Sequence, residues 1–222
     1  INNSASVAGT AIAAWDNGNL AIAWTRPIYS GTTQHVLALS VYDGSSWTTQ
    51  DIDTASRTGY RPSIAIDNQG ALHIAYLDRD NTTLRYATNA SGSWVLSTLD
   101  NSSVNPSNEA AKTGIAIDNR GHVHIIHPVQ CSSVWVLNYT TNVSGSFVST
   151  TITDTTKDDG KYASLAIAGN GSLHISAYRD SGGSDLRYYT DESGVWTNET
   201  VRTGDNFGKD SVIGLNSKDE VI

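Results

Sequence analysis

The sequence predicts an all-β protein, and three observations support this class. Of the 222 residues, 27 are Ser and 24 are Thr, and 10 Tyr and 6 Trp supply bulky aromatic side chains. Thr, Tyr and Trp favour strands, and the 19 glycines favour the turns between them. Short segments of alternating polarity also recur along the chain. A helical bundle or a dinucleotide-binding α/β fold is therefore not expected.

Each repeat begins with a predicted β-hairpin. Period-2 alternation is clearest in Ser63–Ile66 and in Leu72–Tyr76, which flank a short polar turn. A glycine that can adopt positive φ closes such a turn. These turn glycines recur at intervals of 52, 51 and 50 residues, at Gly18, Gly70, Gly121 and Gly171.

A second hairpin follows in each repeat. Its third strand is clearest at Leu84–Thr88, and its fourth strands are predicted at Thr48–Ile52, Val95–Leu99, Val148–Ile152 and Thr197–Val201. Four antiparallel strands per repeat predict a β-propeller of four-stranded blades rather than a sandwich, which has no fixed repeat. Each fourth strand begins with an aromatic residue: Trp47, Trp94, Phe147 and Trp196. These side chains are predicted to pack in the blade core, and stacking against a sugar ring is the alternative.

A single domain over residues 1–222 is expected, with blades at about 6–57, 58–109, 110–159 and 160–207 and a partial fifth blade at 208–222. The chain lacks an initiator Met and is expected to be a mature portion or fragment of a longer chain. The partial blade leaves strand edges exposed. Three explanations stay open: truncation, completion by another subunit, or a flattened four-bladed ring. The residues predicted for an intersubunit strand are Ser211, Val212, Ile213, Leu215, Val221 and Ile222.

Charge and cysteine content narrow the possible partners. The net charge of −8 and the pI of about 5.0 argue against nucleic-acid binding. No apolar run approaches the ~20 residues of a membrane span. Cys131 is the single cysteine, so an internal disulfide is impossible. A buried free thiol is favoured, with an intermolecular bridge as the alternative. No cofactor is indicated.

The motif Ser-Ile-Ala-Ile-Asp-Asn-x-Gly-x-x-His-Ile-x-Tyr from Ser63 to Tyr76, followed by Leu-Arg-Tyr-Ala-Thr and Gly-Ser-Trp, resembles the sialidase-related (BNR-like) propeller repeats. The resemblance covers nearly the whole chain and implies a propeller in a secreted or cell-surface protein. Asp67 lies four positions after Ser63, so the Asp-box spacing is not met. Tyr60-Arg61-Pro62 is similar to the arginine motif of that family, but the other arginines do not follow its pattern. Catalysis is therefore not predicted.

Two sets of repeated polar residues are candidates for metal binding. A histidine lies three residues after the turn glycine in three of the repeats, at His73, His124 and His174. These side chains could bind one metal ion around a common axis. Alternatively, each packs between blades and forms hydrogen bonds with the backbone. Packing is favoured, because Ala21 replaces the histidine in the first repeat. The turn residues Asp67, Asn68, Asp118 and Asn119 suggest either calcium or local turn hydrogen bonds, and the turn explanation is simpler.

Asn-x-Ser/Thr sequons are about twice as frequent as chance predicts. They predict glycosylation at Asn2, Asn81, Asn89, Asn101, Asn138, Asn142 and Asn198, whereas Asn170 lies in a tight turn. Together these features predict a non-catalytic, extracellular or cell-surface propeller with a structural or adhesive role, such as a glycosylated filament subunit. Self-association or another surface protein is the expected partner. The alternative is a carbohydrate-binding, lectin-like propeller or a sialidase-like glycosidase.

Overall fold

The computed structural model describes residues 9–29, 33–55, 57–101 and 110–222, and every regular element in these ranges is a strand. Sixteen strands form four separate antiparallel sheets, each with its strands in chain order. We call these sheets blades 1 to 4. The predicted four-stranded blades are therefore confirmed. Position 56 and the segments 1–8, 30–32 and 102–109, which include Asn2, lie outside the described residues.

The strands of each blade follow one another without crossovers. Blade 1 contains β1 (Thr10–Ala14), β2 (Leu20–Tyr29), β3 (Thr33–Tyr42) and β4 (Trp47–Asp53). Blade 2 contains β5 (Tyr60–Ile66), β6 (Leu72–Asp78), β7 (Thr83–Thr88) and β8 (Val95–Asp100). Blade 3 contains β9 (Gly114–Ile117), β10 (Val123–Cys131), β11 (Val134–Thr141) and β12 (Val148–Thr151). Blade 4 contains β13 (Lys161–Ile167), β14 (Leu173–Arg179), β15 (Asp185–Thr190) and β16 (Thr197–Arg202).

The first hairpin of blade 2 shows how the repeated turn is built. Gly70 N donates to the Asp67 carbonyl at 3.0 Å, with Gly70 at φ +83°. Asp67 Oδ1 accepts hydrogen bonds from the backbone N–H groups of Gln69 and Ala71 at 2.9 and 2.8 Å. The carboxylate thus satisfies local donors, as expected of an Asx turn. The equivalent glycines also have positive φ: Gly18 (+86°), Gly121 (+85°) and Gly171 (+93°).

Apolar clusters fill the spaces between successive blades. The face of a blade that packs on the preceding blade is here called its leading face, and the opposite face its trailing face. The cluster between blades 1 and 2 combines Ala21, Ala23, Leu37 and Leu39 of the trailing face with Ile64, Ile74, Tyr76 and Ala87 of the leading face. Similar clusters join blades 2 and 3 and blades 3 and 4. Since β1, β5, β9 and β13 lie side by side in that order, the blades form an arc around one axis.

The repeated aromatic residues take part in this packing with one exception. Trp94 packs against the cluster between blades 1 and 2. The ring centroids of Phe147 and Tyr86 are 5.3 Å apart, and those of Trp196 and Tyr139 are 5.4 Å apart. Trp47 is 49% exposed. Core packing is therefore wrong for Trp47, because no described blade precedes blade 1.

Buried carboxylates link neighbouring blades at the ends of the outer strands. Asp53 of blade 1 accepts a hydrogen bond from Tyr76 Oη at 2.7 Å. Asp100 of blade 2 lies 3.0 Å from His127 Nε2 and accepts from Asn138 Nδ2 at 3.0 Å. Each carboxylate ends a fourth strand and meets side chains on the inner strands of the next blade.

Residues 208–222 continue the arc beyond blade 4. Ile213 N donates to Ser164 Oγ at 3.3 Å, and Gly169 N donates to Asp219 Oδ2 at 3.0 Å. Leu215 and Val221 form an antiparallel bridge. The segment therefore forms a short hairpin against the trailing face of blade 4.

Cys131 is exposed. The expectation of a buried thiol is wrong, because the residue ends β10 where the chain enters the turn at Ser132 and leaves the blade core.

Candidate functional site

The three repeated histidines form the same pair in blades 2, 3 and 4. His73 Nδ1 lies 2.5 Å from Tyr86 Oη, His124 Nδ1 lies 2.6 Å from Tyr139 Oη, and His174 Nδ1 lies 2.6 Å from Tyr188 Oη. Each histidine is on the second strand of its blade, and each tyrosine is on the third. The Nδ1 atoms thus bond to tyrosine hydroxyls rather than to the expected backbone groups.

A shared metal is not supported by this arrangement. Within the ranges that the structure describes, no three His, Cys, Asp or Glu side chains are close enough to hold a metal ion. Each histidine stays with the tyrosine of its own blade. Asp67 and Asp118 direct one carboxylate oxygen to backbone N–H groups, which agrees with local turn chemistry rather than calcium.

Blade 3 differs from blade 2 in what its turn carboxylate binds. In blade 2, His73 Nε2 lies 3.1 Å from Asp67 Oδ2. In blade 3, Asp118 Oδ2 lies 2.8 Å from His122 Nδ1 but 3.7 Å from His124 Nε2. His124 is 4% exposed, and its Nε2 atom has no hydrogen-bond partner. The presence of His122 therefore leaves a buried nitrogen of His124 unsatisfied.

The charges at this turn are set by burial and by hydrogen bonds. Burial raises the pKa of Asp118. Hydrogen bonds from the His122 side chain and from the backbone N–H groups of His122 and Arg120 lower this pKa by more than burial raises it, so the pKa lies below its ordinary value. Burial lowers the pKa of His124, and the nearby Asp118 only partly opposes this. Near neutral pH, Asp118 is thus ionised and His124 is uncharged.

A pocket of about 430 Å³ opens between blades 3 and 4 at this turn. Blade 3 contributes six polar residues to its wall: Asp118, Asn119, Arg120, His122, His124 and Thr141. Tyr139 and Val143 provide apolar surface, and Asn170, Gly171 and Asp191 line the blade 4 side. Blade 2 carries Gln69 and Ala71 at the positions of Arg120 and His122. Arg120 and His122 are therefore particular to blade 3, whereas Asp118 stands at the repeat position of Asp67 and Asp191 belongs to blade 4.

Sequence reasoning singled out His124 and Asp118 but missed Arg120, His122 and Asp191. A signal was present, because His122 stands where blades 2 and 4 have the small residues Ala71 and Ser172. Its meaning depends on the contact with Asp118, which only the folded turn creates.

The predicted glycosylation sites differ in exposure. Asn81, Asn101 and Asn198 are exposed, whereas Asn89 and Asn142 are partly buried and accept hydrogen bonds from the backbone N–H groups of Leu72 and Val123. Asn138 is 6% exposed, and its Nδ2 donates to Asp100. A glycan on Asn138 conflicts with this burial, because it would replace the inter-blade hydrogen bond.

No known protein family matches the chain, and neither does any curated protein. Solved structures do match. A protein of unknown function from Dyadobacter fermentans has a TM-score of 0.68 at 13% identity, over 97% of this chain and 73% of that one. The six-bladed fungal lectin of Aleuria aurantia, described with a novel fucose recognition mode, has a TM-score of 0.62 at 16% identity, over 90% and 62%.

The α-L-arabinanase of Penicillium chrysogenum, solved with arabinobiose, has a TM-score of 0.59 at 13% identity, over 87% of this chain and 66% of that one. The chain thus spans about two thirds of the length of these proteins. No helix that could cross a membrane occurs in the part of the chain that the structure describes. The relation to sialidase repeats stays a prediction. At these identities the likeness concerns architecture alone, and it shows that the chain has the β-propeller fold.

Proposed function

We propose that the protein is a non-catalytic, extracellular β-propeller with an adhesive role that binds neutral carbohydrate in the pocket between blades 3 and 4. The observation that carries this proposal is His124 Nε2, a buried nitrogen without a hydrogen-bond partner at the wall of a pocket lined by two carboxylates and a guanidinium. An unsatisfied buried polar group costs roughly 1–3 kcal/mol, and a ligand oxygen that reached it would remove this cost.

The pocket wall offers both kinds of hydrogen-bonding group that a sugar needs. The carboxylates of Asp118 and Asp191 accept, and the guanidinium of Arg120 donates. Every sugar hydroxyl both donates and accepts, so neighbouring hydroxyls match such a mixed wall. Tyr139 and Val143 supply apolar surface for the sugar ring. The volume of about 430 Å³ suits a ligand of one or two rings.

Two observations favour binding over hydrolysis. A glycosidase needs a carboxylic acid of raised pKa beside a second carboxylate. The pKa of Asp118 is lowered instead, because the hydrogen bonds to the ionised carboxylate outweigh its burial. Within the described residues, the innermost strands of the four blades carry no carboxylate. A sialidase-like or arabinanase-like enzyme is the second candidate, and the comparison with the arabinanase is its support.

The test is a glycan array, followed by titration of any bound sugar into the protein. The informative variant is Arg120→Gln with His122→Ala, which gives blade 3 the turn residues that blade 2 already carries. We expect binding to weaken more than about tenfold, since each lost charged hydrogen bond is worth roughly 1.5–3 kcal/mol. Lys157→Gln is the matched control, because this exposed cation lies on the β12–β13 connection and does not line the pocket. Equal binding by the double variant, or no binding by the native chain to any neutral glycan, would reject this site.

An extracellular location has its own test. The exposed sequons at Asn81, Asn101 and Asn198 support it. Glycopeptide mapping by mass spectrometry of the protein from its native source is expected to show glycan mass at these asparagines and none at Asn138. An unmodified native protein would contradict the proposed glycosylation but not the sugar-binding pocket.

A further inference from the structure

The contacts around His124 fix which of its ring nitrogens carries the proton. Burial raises the pKa of Tyr139, whereas a hydrogen bond from Thr141 opposes this rise, so the threonine hydroxyl is the donor. The hydrogen of the Tyr139 hydroxyl is then directed at His124 Nδ1, at 2.6 Å. Burial also lowers the pKa of His124 and keeps the ring uncharged near neutral pH. A neutral ring whose Nδ1 accepts carries its proton on Nε2, so His124 Nε2 is a hydrogen-bond donor.

Blade 2 shows where such a donor binds when the turn carboxylate has no second histidine beside it. His73 Nε2 lies 3.1 Å from Asp67 Oδ2. In blade 3, the carboxylate of Asp118 is instead held by His122, whose Nδ1 lies 2.8 Å from Oδ2. His124 Nε2 is left 3.7 Å from the same oxygen. One carboxylate oxygen therefore has two histidines within reach, and it binds the one that blade 2 lacks.

The surroundings of His124 Nε2 define the ligand atom that can bind there. A donor requires an acceptor, and the Asp118 carboxylate is already held by His122. Asp191 of blade 4 also acts on His124 with its negative charge. The two carboxylates outnumber the single guanidinium of the pocket wall, so they would repel an anionic ligand group. An uncharged oxygen, as in a sugar hydroxyl or an acetamido carbonyl, accepts the hydrogen bond without this cost.

We propose that His122 is the positioning residue of this site: it holds the Asp118 carboxylate and thereby keeps the Nε2–H group of His124 open to an uncharged acceptor oxygen of the ligand. The ligand oxygen would take the place that the Asp67 carboxylate has beside His73 in blade 2. The identity of the ligand rests on the proposed sugar pocket. The choice of Asp118 between its two histidines does not depend on that pocket.

NMR of the imidazole N–H protons tests the positioning role in the absence of sugar. A hydrogen bond to a carboxylate moves such a proton downfield, and both His73 and His124 are buried enough to protect theirs from exchange. In the native chain we expect a downfield Nε2–H signal from His73 and not from His124. His122→Ala gives blade 3 the small turn residue of blade 2, and the His124 signal should then move downfield as Asp118 turns to it. Ala71→His is the converse change in blade 2 and should remove the downfield signal of His73.

An unchanged His124 signal in His122→Ala would overturn the proposal. This variant is expected to fold, because blade 2 carries alanine at the same position of the same turn.

Titration with sugars links the positioning role to the ligand. Glucose and galactose, each paired with its uronic acid, are the probes, because the members of a pair differ in one charged group. We expect the neutral sugar to bind the native chain more tightly, and His122→Ala to weaken that binding about tenfold. His122→Asn keeps a donor nitrogen the same number of bonds from Cα as Nδ1 of histidine, so it should recover binding that His122→Ala loses.

The outcomes separate the possible explanations. Equal loss of binding in His122→Ala and His122→Asn would overturn the positioning role, since His122 would then contact the sugar itself. Tighter binding of the uronic acids would overturn the uncharged acceptor. A native chain that binds neither these sugars nor any neutral glycan of the array would reject the proposed function, and the N–H signals would still decide whether His122 positions Asp118.

Discussion

Removal of one buried hydroxyl tests whether the polar links between blades stabilise the arc. Tyr76 is fully buried, and its hydroxyl donates to Asp53 Oδ2 at 2.7 Å. Arg85 Nη1 lies 3.2 Å from the same oxygen. Burial and the Asp53 carboxylate raise the pKa of Tyr76, so its hydroxyl stays protonated and remains a donor.

We expect Tyr76→Phe to lower the free energy of unfolding by about 2 kcal/mol. A hydrogen bond to a charged group contributes roughly 1.5–3 kcal/mol, and the change leaves the buried Asp53 with the Arg85 guanidinium. For a chain of this length the corresponding decrease in Tm is about 4–8 °C. The ring of Tyr76 is retained, so the apolar cluster between blades 1 and 2 loses no packing.

Chemical denaturation followed by tryptophan fluorescence and far-UV circular dichroism measures this effect. The two signals must coincide, because stacked repeats can unfold in steps. Tyr42→Phe is the matched control, since its hydroxyl donates to the Gly44 carbonyl at 2.9 Å in an exposed position. We expect a change below about 0.5 kcal/mol there. Equal losses in the two variants would refute the idea that buried inter-blade bonds add net stability.

Two further predictions concern single positions. We expect Gly160→Ala to lower the free energy of unfolding by about 1–3 kcal/mol more than Gly18→Ala, as measured by denaturation. Both glycines have φ near +87°, so the backbone strain is the same. Only at Gly160 would the added Cβ meet Leu137 Cβ, at 2.5 Å. The pKa of Asp118 in the folded protein lies below the ordinary 3.8. The ionised carboxylate therefore stabilises the fold fully above pH 3.8, and this stabilisation is lost as the pH falls through the folded-state pKa. The stability difference between the native chain and Asp118→Asn should therefore shrink in acid, and a difference that grows below pH 3.8 would contradict this assignment.

The strands were predictable because their signal is local. The predicted fourth strand Thr48–Ile52 is observed as Trp47–Asp53, and the predicted strand Leu84–Thr88 is observed as Thr83–Thr88. Alternation of side chains and a glycine turn act within a few residues, so the sequence shows them directly. Trp47 shows the limit of this reasoning, because its repeat position predicts burial while its exposure depends on which blade lies beside it.

The sequence by itself determined the repeat, the hairpins, the turn glycines and the apolar faces of the blades, because each depends on residues close together in the chain. Only the tertiary structure decided which distant groups meet. Asp53 accepts a hydrogen bond from Tyr76 in the next blade, and Asp100 lies beside His127 and Asn138 in the next blade. Such contacts depend on the spacing of blades around the axis. A periodic sequence cannot show them, because it presents equivalent positions as alike while their partners in space differ.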